Sequence, residues 1–330
     1  MLPYKVIVTN KQLSGSGVSG EAEFEFLSLD DAKAYATSLT TAYSQVNVYI
    51  WDGTTVIPYE NSGPSLLLDT YSGAAAAYSL RLLSSAWSGE SCVRVRVDTT
   101  GQPEYNIGFV NNELDTTTLE ARCTGGLDAY VVTWYDQSGN NRNATQTTAS
   151  AQPQIVSSGS TILKNGKPAV QNDGSNDYLV NTGGLTTSDN HMILSVHSNI
   201  TSGFVFSLGY NDLNSILLWV NTSNGSRYWL NGSGNQLNSN EFTTNQRLTI
   251  GQQSSGTQSL YIDSSLNSSK STTYVGDLVP DITIGYALRR NQGSNYYNGY
   301  IQECIYFNVD QATNRTGIET NINDYYSIYP

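Results

Sequence analysis

Carboxylates are the side chains of this sequence best suited to transfer protons. Asp136, Asp212, Glu241 and Glu303 are the candidates for acid–base chemistry. Hydrolysis of a glycosidic bond uses a pair of carboxyl groups, one as acid and one as nucleophile or base. The sequence offers no visible partner matched to any of these four, so it predicts no catalytic residue.

Glu303 illustrates this lack of a partner. It alternates with Ile301 and Ile305, and a strand would place all three residues on one sheet face. A single acid among apolar residues is typical of a structural or strand-edge group. No glutamate occurs between Glu120 and Glu241, so the middle of the chain offers no glutamate as a partner.

Histidine and cysteine chemistry has even less support. His191 and His197 are the two histidines, and their even separation would place both on one face of a strand. Strand polarity explains them better than a metal pair. The cysteines Cys92, Cys123 and Cys304 have no CxxC spacing, and we expect three small buried thiols.

Residues suited to sugar binding are easier to find. Sugar sites combine aromatic faces with amide and carboxylate hydrogen bonds, and Trp219, Tyr228 and Trp229 flank a polar turn at 221–226. If paired strands bring these rings together, they form with Asp136 the predicted glycan-binding set. The alternative is that the aromatic residues belong to the core or to a sheet surface.

Four oxygen-bearing residues suggest a metal as a further alternative. Asp136, Asn172, Asp173 and Asp177 carry the ligands that calcium prefers. Solvated loop polarity is the simpler explanation of the same residues. The sequence therefore predicts no cofactor, with calcium at these residues as the alternative.

Composition and charge exclude several classes of protein. The 330 residues include 16 Lys and Arg against 28 Asp and Glu, a formal net charge of −12. Binding of nucleic acid relies on a basic surface that neutralises phosphates, so nucleic acid is excluded as a partner. No apolar run approaches the roughly 18 residues that indicate a membrane span.

Two regions with different patterns must position the candidate residues. Residues 1–63 follow the order strand, strand, helix, strand, strand, which predicts a small α+β domain. The polar segment 61–64 is typical of a linker. Residues 64–330 form the second predicted domain.

Short strands dominate the second domain. Helices are predicted at 74–83, near 116–121 and at the end of the chain, where Ile318, Ile322 and Tyr325 have helical spacing. Between the last two helices, many short strands are separated by Asn, Gly and Ser turns. This spacing predicts an antiparallel β-sandwich.

Two parts of the second domain resemble known families. Residues 77–83, 93–96 and 134–140, the last reading WYDQSGN, resemble the start of the α-L-arabinofuranosidase B catalytic domain. Residues 297–306 and 318–326 are similar to the end of laminin-G-like modules. The resemblance implies a concanavalin A-like jelly roll. The expected fold class is therefore mainly β, an antiparallel β-sandwich preceded by a small α+β domain.

The catalytic features of the arabinofuranosidases are not matched. Those enzymes carry a catalytic glutamate in the middle of the jelly roll and adjacent cysteines beside the sugar site, and this sequence has neither. A shared fold does not fix function. We therefore expect a protein that is not an enzyme.

The expected function is that of a virion surface protein. Modules of this kind occur in bacteriophage particles, and the sequence combines low charge with no visible signal peptide. We expect a homo-oligomeric head fibre, capsid decoration or tail-associated protein, located extracellularly on the virion. Its domain 1–63 would bind other virion proteins, and its jelly roll would bind host glycans. The open alternatives are a secreted arabinofuranosidase-like glycoside hydrolase or carbohydrate-binding module, and a bacterial adhesin.

Overall fold

In the computed structural model, the chain forms two compact units, Met1–Ser65 and Leu66–Pro330. The structure describes residues 4–10, 21–29, 31–33, 35–36, 46–51, 54–58, 66–211, 214–230, 236–272, 281–287 and 295–330. Among these residues, no helix has the length and apolar character needed to cross a membrane.

The first unit is a four-stranded antiparallel sheet with helical residues against it. Its strands are β1 (Tyr4–Asn10), β2 (Glu21–Phe26), β3 (Val46–Trp51) and β4 (Val56–Pro58), in the spatial order β2-β1-β3-β4. The described residues between 29 and 36 are helical, and Ala32 and Ala36 pack against Val6 and Ile50. This is the small α+β arrangement that the alternating pattern predicted.

The second unit is a β-sandwich of many short strands. Its described helices are α1 (Leu67–Thr70), α2 (Thr116–Arg122) and α3 (Arg315–Tyr326), with 3-10 helices at Ser85–Trp87 and Ala149–Ala151. Its described strands are β5 (Ala74–Ser79), β6 (Val93–Val97), β7 (Glu104–Ile107), β8 (Phe109–Val110), β9 (Glu113–Leu114), β10 (Ala129–Trp134), β11 (Ala144–Thr145), β12 (Gln154–Ser157), β13 (Ser160–Thr161), β14 (Leu163–Lys164), β15 (Lys167–Pro168), β16 (Val170–Asp173), β17 (Leu179–Asn181), β18 (His191–Asn199), β19 (Gly203–Asn211), β20 (Asn214–Asn221), β21 (Gly225–Leu230), β22 (Gln236–Asn238), β23 (Gln246–Ser254), β24 (Thr257–Ile262), β25 (Ser265–Ser271), β26 (Ile282–Ile284) and β27 (Asn298–Phe307).

The strands of the sandwich pair in two antiparallel series. One series runs β5-β27-β18-β23-β24-β25, and the other runs β6-β10-β11-β17-β26-β19-β20-β21-β22. A hydrophobic core takes residues from both series. In this core, the centroid of the Tyr78 ring lies 6.3 Å from the ring centroids of Trp134 and Phe206.

A second core lies between the first series and α3. Met192 and Ile305, from β18 and β27, pack with Ile318 and Ile322 of the helix. The four-residue spacing of the two isoleucines places them on one helical face. The predicted closing helix is confirmed, with Tyr325 partly buried against the same core.

The helix predicted at 74–83 is wrong, because residues 74–79 form strand β5. This strand pairs with β27, with Cys304 opposite Tyr78 and Ile305 opposite Ala77. Alanine favours helices, but burial and strand pairing override this weak preference. The helix predicted near 116–121 is confirmed as α2, where the Asp115 side chain accepts a hydrogen bond from the Thr118 backbone N–H (2.9 Å).

The prediction that Ile301, Glu303 and Ile305 share one sheet face is also wrong. The register between β18 and β27 shifts between Val196 and His197, which is a β-bulge. Ile301 consequently belongs to the core between the two series of strands, whereas Ile305 belongs to the core under α3.

Candidate functional site

Asp136 is a structural group inside the second unit. Its side chain is fully buried and accepts four hydrogen bonds, from Ala77 N (2.8 Å), Ser138 N (3.0 Å), Ser138 Oγ (2.8 Å) and Arg142 N (2.9 Å). These bonds fasten the loop after β10 to β5 and satisfy the buried carboxylate. The WYDQSGN motif thus marks the fold, and the Asp136 carboxylate has no exposed surface with which to contact a glycan.

The predicted aromatic residues do not form one surface. Tyr228 is fully buried, and its hydroxyl lies 2.7 Å from His191 Nε2. Trp219 is partly buried, stacks on Phe204 at a ring-centroid distance of 5.2 Å and lies under the Arg227 guanidinium. The Trp229 side chain lies outside the described part of the chain, so glycan binding by the two tryptophans stays a prediction.

Glu303 forms a buried ion pair. Its carboxylate accepts hydrogen bonds from Arg81 Nε (2.8 Å) and Nη2 (3.1 Å) and from Ser79 Oγ (2.8 Å). Arg81 also donates to Asn321 Oδ1 in α3 (3.0 Å). This acid therefore links the sheet to the closing helix, and it has no contact with solvent.

Among the described residues, the remaining candidate acid and the three cysteines do not form a site together. Asp212 lies outside the described residues, and Glu241 is an exposed partner of Arg247 at 2.9 Å. The three cysteines are free and buried, as predicted: Cys92, Cys123 and Cys304.

The two histidines lie on β18 and are both buried. Burial lowers the pKa of His191 and of His197 to about 4, so both rings are neutral at pH 7. Within the described ranges, no group of three His, Cys, Asp or Glu side chains is arranged to hold a metal ion. Calcium binding stays a prediction.

A polar pocket of about 510 Å³ opens over four neighbouring strands of the second unit. Its floor follows the strand register: Arg96 of β6 faces Tyr130 of β10, Tyr130 faces Gln154 of β12, and Gln154 faces Gln171 of β16. Residues directly opposite on paired strands project to the same sheet face. The complete lining is Arg96, Asp98, Gln102, Tyr130, Ala149, Ser150, Gln152, Gln154, Gln171, Asp173 and Asp177.

Arg96 organises one end of this pocket. The guanidinium donates to Gln152 Oε1 (2.7 Å), to the Ala149 carbonyl oxygen (3.2 Å) and to Asp98 Oδ1 (3.2 Å). It also lies over the Tyr130 ring, 4.8 Å from the centroid. These contacts fix the orientation of the polar groups before any ligand arrives.

The turn 173–177, with the sequence DGSND, forms the other end. Asp173 Oδ1 accepts hydrogen bonds from Ser175 N (2.7 Å) and Asn176 N (3.3 Å), which is the usual way in which aspartate closes a turn. Gly174 has a φ of +80°, and a Cβ there would lie 2.7 Å from Asn298 Cβ. The turn therefore requires glycine at this position.

The same turn places two carboxyl groups close together. Asp177 Oδ2 accepts a hydrogen bond from Asp173 N (3.0 Å), and Asp177 is only 7% exposed. Burial, and next the negative charge of Asp173, raise the pKa of Asp177 to about 7, although the bond from Asp173 N opposes the shift. Asp177 can therefore hold a proton near neutral pH beside the exposed carboxylate of Asp173.

The sequence-based alternative for Asp173 and Asp177 is calcium ligation, with no role as a pair of acids. Two acids separated by Gly-Ser-Asn, directly after a strand, were the available signal. Glycosidases use two carboxyl groups, one of them an acid with a raised pKa, and this turn supplies one carboxyl of each kind.

Comparisons with known proteins identify the fold. No protein-family model and no curated protein sequence matches the chain. Among solved structures, it is similar to a mutant GH54 α-L-arabinofuranosidase soaked with 4-nitrophenyl α-L-arabinofuranoside, with a TM-score of 0.62 and 14% identity. It is also similar to an arabinofuranosidase in complex with arabinofuranosyl-α-1,2-xylobiose, with a TM-score of 0.58 and 15% identity. Each match covers 79% of this chain and 64% of the other, so this chain spans less than two thirds of those proteins.

These likenesses confirm the predicted jelly-roll β-sandwich and its resemblance to the arabinofuranosidase B domain. They also correct the expectation of a non-enzymatic protein, because the solved structures that share the fold include glycoside hydrolases studied with substrate and with inhibitor. The absence of a central glutamate was no ground for excluding catalysis. The chain has the arabinofuranosidase type of β-sandwich.

Proposed function

We propose that the protein is a glycoside hydrolase acting on arabinofuranosides and that its active site is the pocket of Asp173 and Asp177. The observation that carries the proposal is the enclosed Asp177 carboxyl next to the exposed Asp173 carboxylate. Similarity of the fold to arabinofuranosidases supports the substrate class. The amide-rich floor suits a ligand with many hydroxyl groups.

In this proposal, Asp177 is the proton donor. A glycosidic oxygen leaves more easily when an acid protonates it, and a carboxyl group with a pKa near 7 keeps that proton at neutral pH. Asp173 supplies the second carboxylate, which stabilises the positive charge that develops on the sugar or attacks it. Asp98, Gln154 and Gln171 hold the sugar hydroxyl groups.

Comparing substrates with different leaving groups distinguishes a loss of acid catalysis from a general loss of activity. We expect Asp177→Asn to lower kcat for arabinofuranosyl-α-1,2-xylobiose by about 10²- to 10⁴-fold. The loss with 4-nitrophenyl α-L-arabinofuranoside should be much smaller, because nitrophenolate leaves without being protonated. Asp173→Asn should slow both substrates, since a group that stabilises the sugar cation acts on either.

Asp263→Asn is the matched control. Asp263 is a second acid whose pKa burial raises, but it sits in the turn between β24 and β25, where it accepts a hydrogen bond from Leu248 N (2.9 Å), and it does not line the pocket. We expect this variant to keep wild-type rates with both substrates. Equal losses in Asp177→Asn and Asp263→Asn, or no hydrolysis by the wild-type protein, would contradict the proposal.

We also propose a place on a bacteriophage particle, which the sequence resemblance and the low charge support. This proposal includes the predicted virion partners of the first unit, binding to host glycans and the homo-oligomer. Deleting residues 1–65 and measuring incorporation into particles tests it. Unchanged incorporation into particles would contradict the proposed docking role of the first unit.

A further inference from the structure

Three partly exposed tyrosines form a cluster that the proposed active site does not use. The Tyr286 and Tyr296 rings are stacked, with centroids 4.4 Å apart and an interplanar angle of 18°. The Tyr178 ring lies 5.7 Å from Tyr286 and 6.3 Å from Tyr296. Buried tyrosines such as Tyr78 belong to the core, but these three retain accessible surface.

The cluster is adjacent to the acidic end of the pocket. Tyr178 directly follows Asp177, and its backbone N–H donates to the Ala151 carbonyl oxygen (3.2 Å), next to the pocket residue Ser150. Asp173 pairs with Asn298, and Tyr296 comes two residues before Asn298. A Cβ on Gly285, just before Tyr286, would lie 3.2 Å from the Asp177 carbonyl oxygen.

All three tyrosines therefore belong to segments that adjoin the turn 173–177. A saccharide chain that extends from the acids past this turn would reach these rings. Clusters of exposed aromatic groups beside a polar cleft are characteristic of ligand-binding surfaces. Tyrosine suits a sugar particularly well, because its ring packs against the apolar ring face and its hydroxyl can hydrogen-bond.

We infer that Tyr178, Tyr286 and Tyr296 form a binding site for the neutral backbone of an oligosaccharide whose scissile sugar occupies the acidic pocket. This inference rests on the proposed function for the identity of the sugar. The exposed carboxylate of Asp173 brings negative charge to the same edge, so a neutral saccharide is favoured over an anionic one. The natural substrate is then a polysaccharide or long oligosaccharide, with the tyrosines recognising the part that is not cleaved.

Direct binding of a saccharide that cannot be cleaved tests the inference without needing activity. Calorimetric titration with xylopentaose and with xylobiose compares a long neutral ligand with a short one. We expect the full-length protein to bind xylopentaose more tightly, and Tyr286→Ala to weaken that binding about tenfold. Tyr286→Phe, which keeps the ring, should change the affinity less than about twofold.

Tyr135→Ala is the matched control, because Tyr135 is partly exposed, lies outside this cluster and bonds to Asn106 Oδ1 (2.9 Å). It should bind xylopentaose like the wild-type protein. Urea unfolding of each variant shows whether a loss of binding reflects misfolding. Tyr178→Ala and Tyr178→Phe form a second pair of variants, to be compared in the same way as Tyr286→Ala and Tyr286→Phe.

The outcomes separate this inference from the proposed function. Tyrosine-dependent binding without any hydrolysis supports the saccharide site and contradicts the glycosidase proposal. Hydrolysis with no binding of xylopentaose, or with binding that Tyr286→Ala and Tyr178→Ala leave unchanged, overturns the saccharide site. Tighter binding of a galacturonic acid pentamer than of xylopentaose overturns the preference for a neutral ligand.

Discussion

Two buried acids of the second unit, Glu303 and Asp177, have neighbours of opposite charge. Glu303 accepts two hydrogen bonds from the Arg81 guanidinium and one from Ser79, and it is enclosed under α3. Asp177 has another carboxylate beside it, and it lies at the wall of a pocket. The first acid is neutralised by a cation, whereas the second lowers its own charge by retaining a proton.

These neighbours distinguish a structural acid from a candidate functional acid in this fold. Burial alone does not distinguish the two residues, because both are nearly or fully inaccessible. An acid whose charge is compensated inside the protein is part of the structure. An acid whose charge is opposed, at a surface that a ligand can reach, is a candidate for function.

Removing the charge of Glu303 should have the largest effect on stability. Glu303→Gln leaves Arg81 buried without its counter-ion, and breaking such a pair costs about 3–5 kcal/mol. Urea unfolding measures the loss. The double variant Arg81→Met with Glu303→Leu should recover part of it, since no unpaired charge remains. A loss below about 1 kcal/mol in Glu303→Gln would contradict the structural role of this ion pair.

Asp136→Asn should come next. An amide places an NH₂ group against some of the four donors that now surround the carboxylate, and each buried donor left without an acceptor costs about 1–3 kcal/mol. We expect a net loss of about 2–3 kcal/mol in urea unfolding. Wild-type stability would mean that the WYDQSGN loop does not depend on this carboxylate.

Asp177→Asn should stabilise the protein instead. Because the folded state raises the pKa of this acid from 3.8 to about 7, the folded state binds more protons than the unfolded state between these values. Stability from this group is present below about pH 4 and is lost as the pH rises towards 7. The variant should gain about 1–3 kcal/mol at pH 8 and close to nothing at pH 4. Denaturation of both proteins at pH 4, 6 and 8 checks the sign, and a variant that is less stable at pH 8 would contradict it.

An exposed pair should give the smallest effect. Arg94 and Glu104 form an ion pair across β6 and β7, but their side chains are 48% and 30% exposed. Such pairs contribute at most about 1 kcal/mol, and salt screens them. Glu104→Gln should therefore change the free energy of unfolding far less than Glu303→Gln, and the same urea titration measures it.

The sequence predicted the β-sandwich because the fold depends on local patterns. Alternating strands, polar turns and the helical spacing of Ile318 and Ile322 are each visible within a few residues. The WYDQSGN motif added the type of sandwich. Strand β5 was not predicted, because its alanines favour a helix locally and only pairing with β27 decides its conformation.

The pocket depends on relations that a sequence does not display. Its floor is built by residues from four strands whose register is set by the whole sheet. The bulge in β27, which separates Ile301 from Ile305, has the same origin. The state of Asp177 follows from burial and from Asp173, and both require the folded turn.

The pH dependence of kcat/KM shows whether Asp177 is the proton donor. With arabinofuranosyl-α-1,2-xylobiose as substrate, the wild-type protein should lose activity as the pH rises above about 7, because Asp177 then loses the proton that it donates. In Asp177→Asn, the remaining rate should be low and free of this decline. Absence of hydrolysis by the wild-type protein, or the same rate and the same decline in Asp177→Asn, would contradict this role of Asp177.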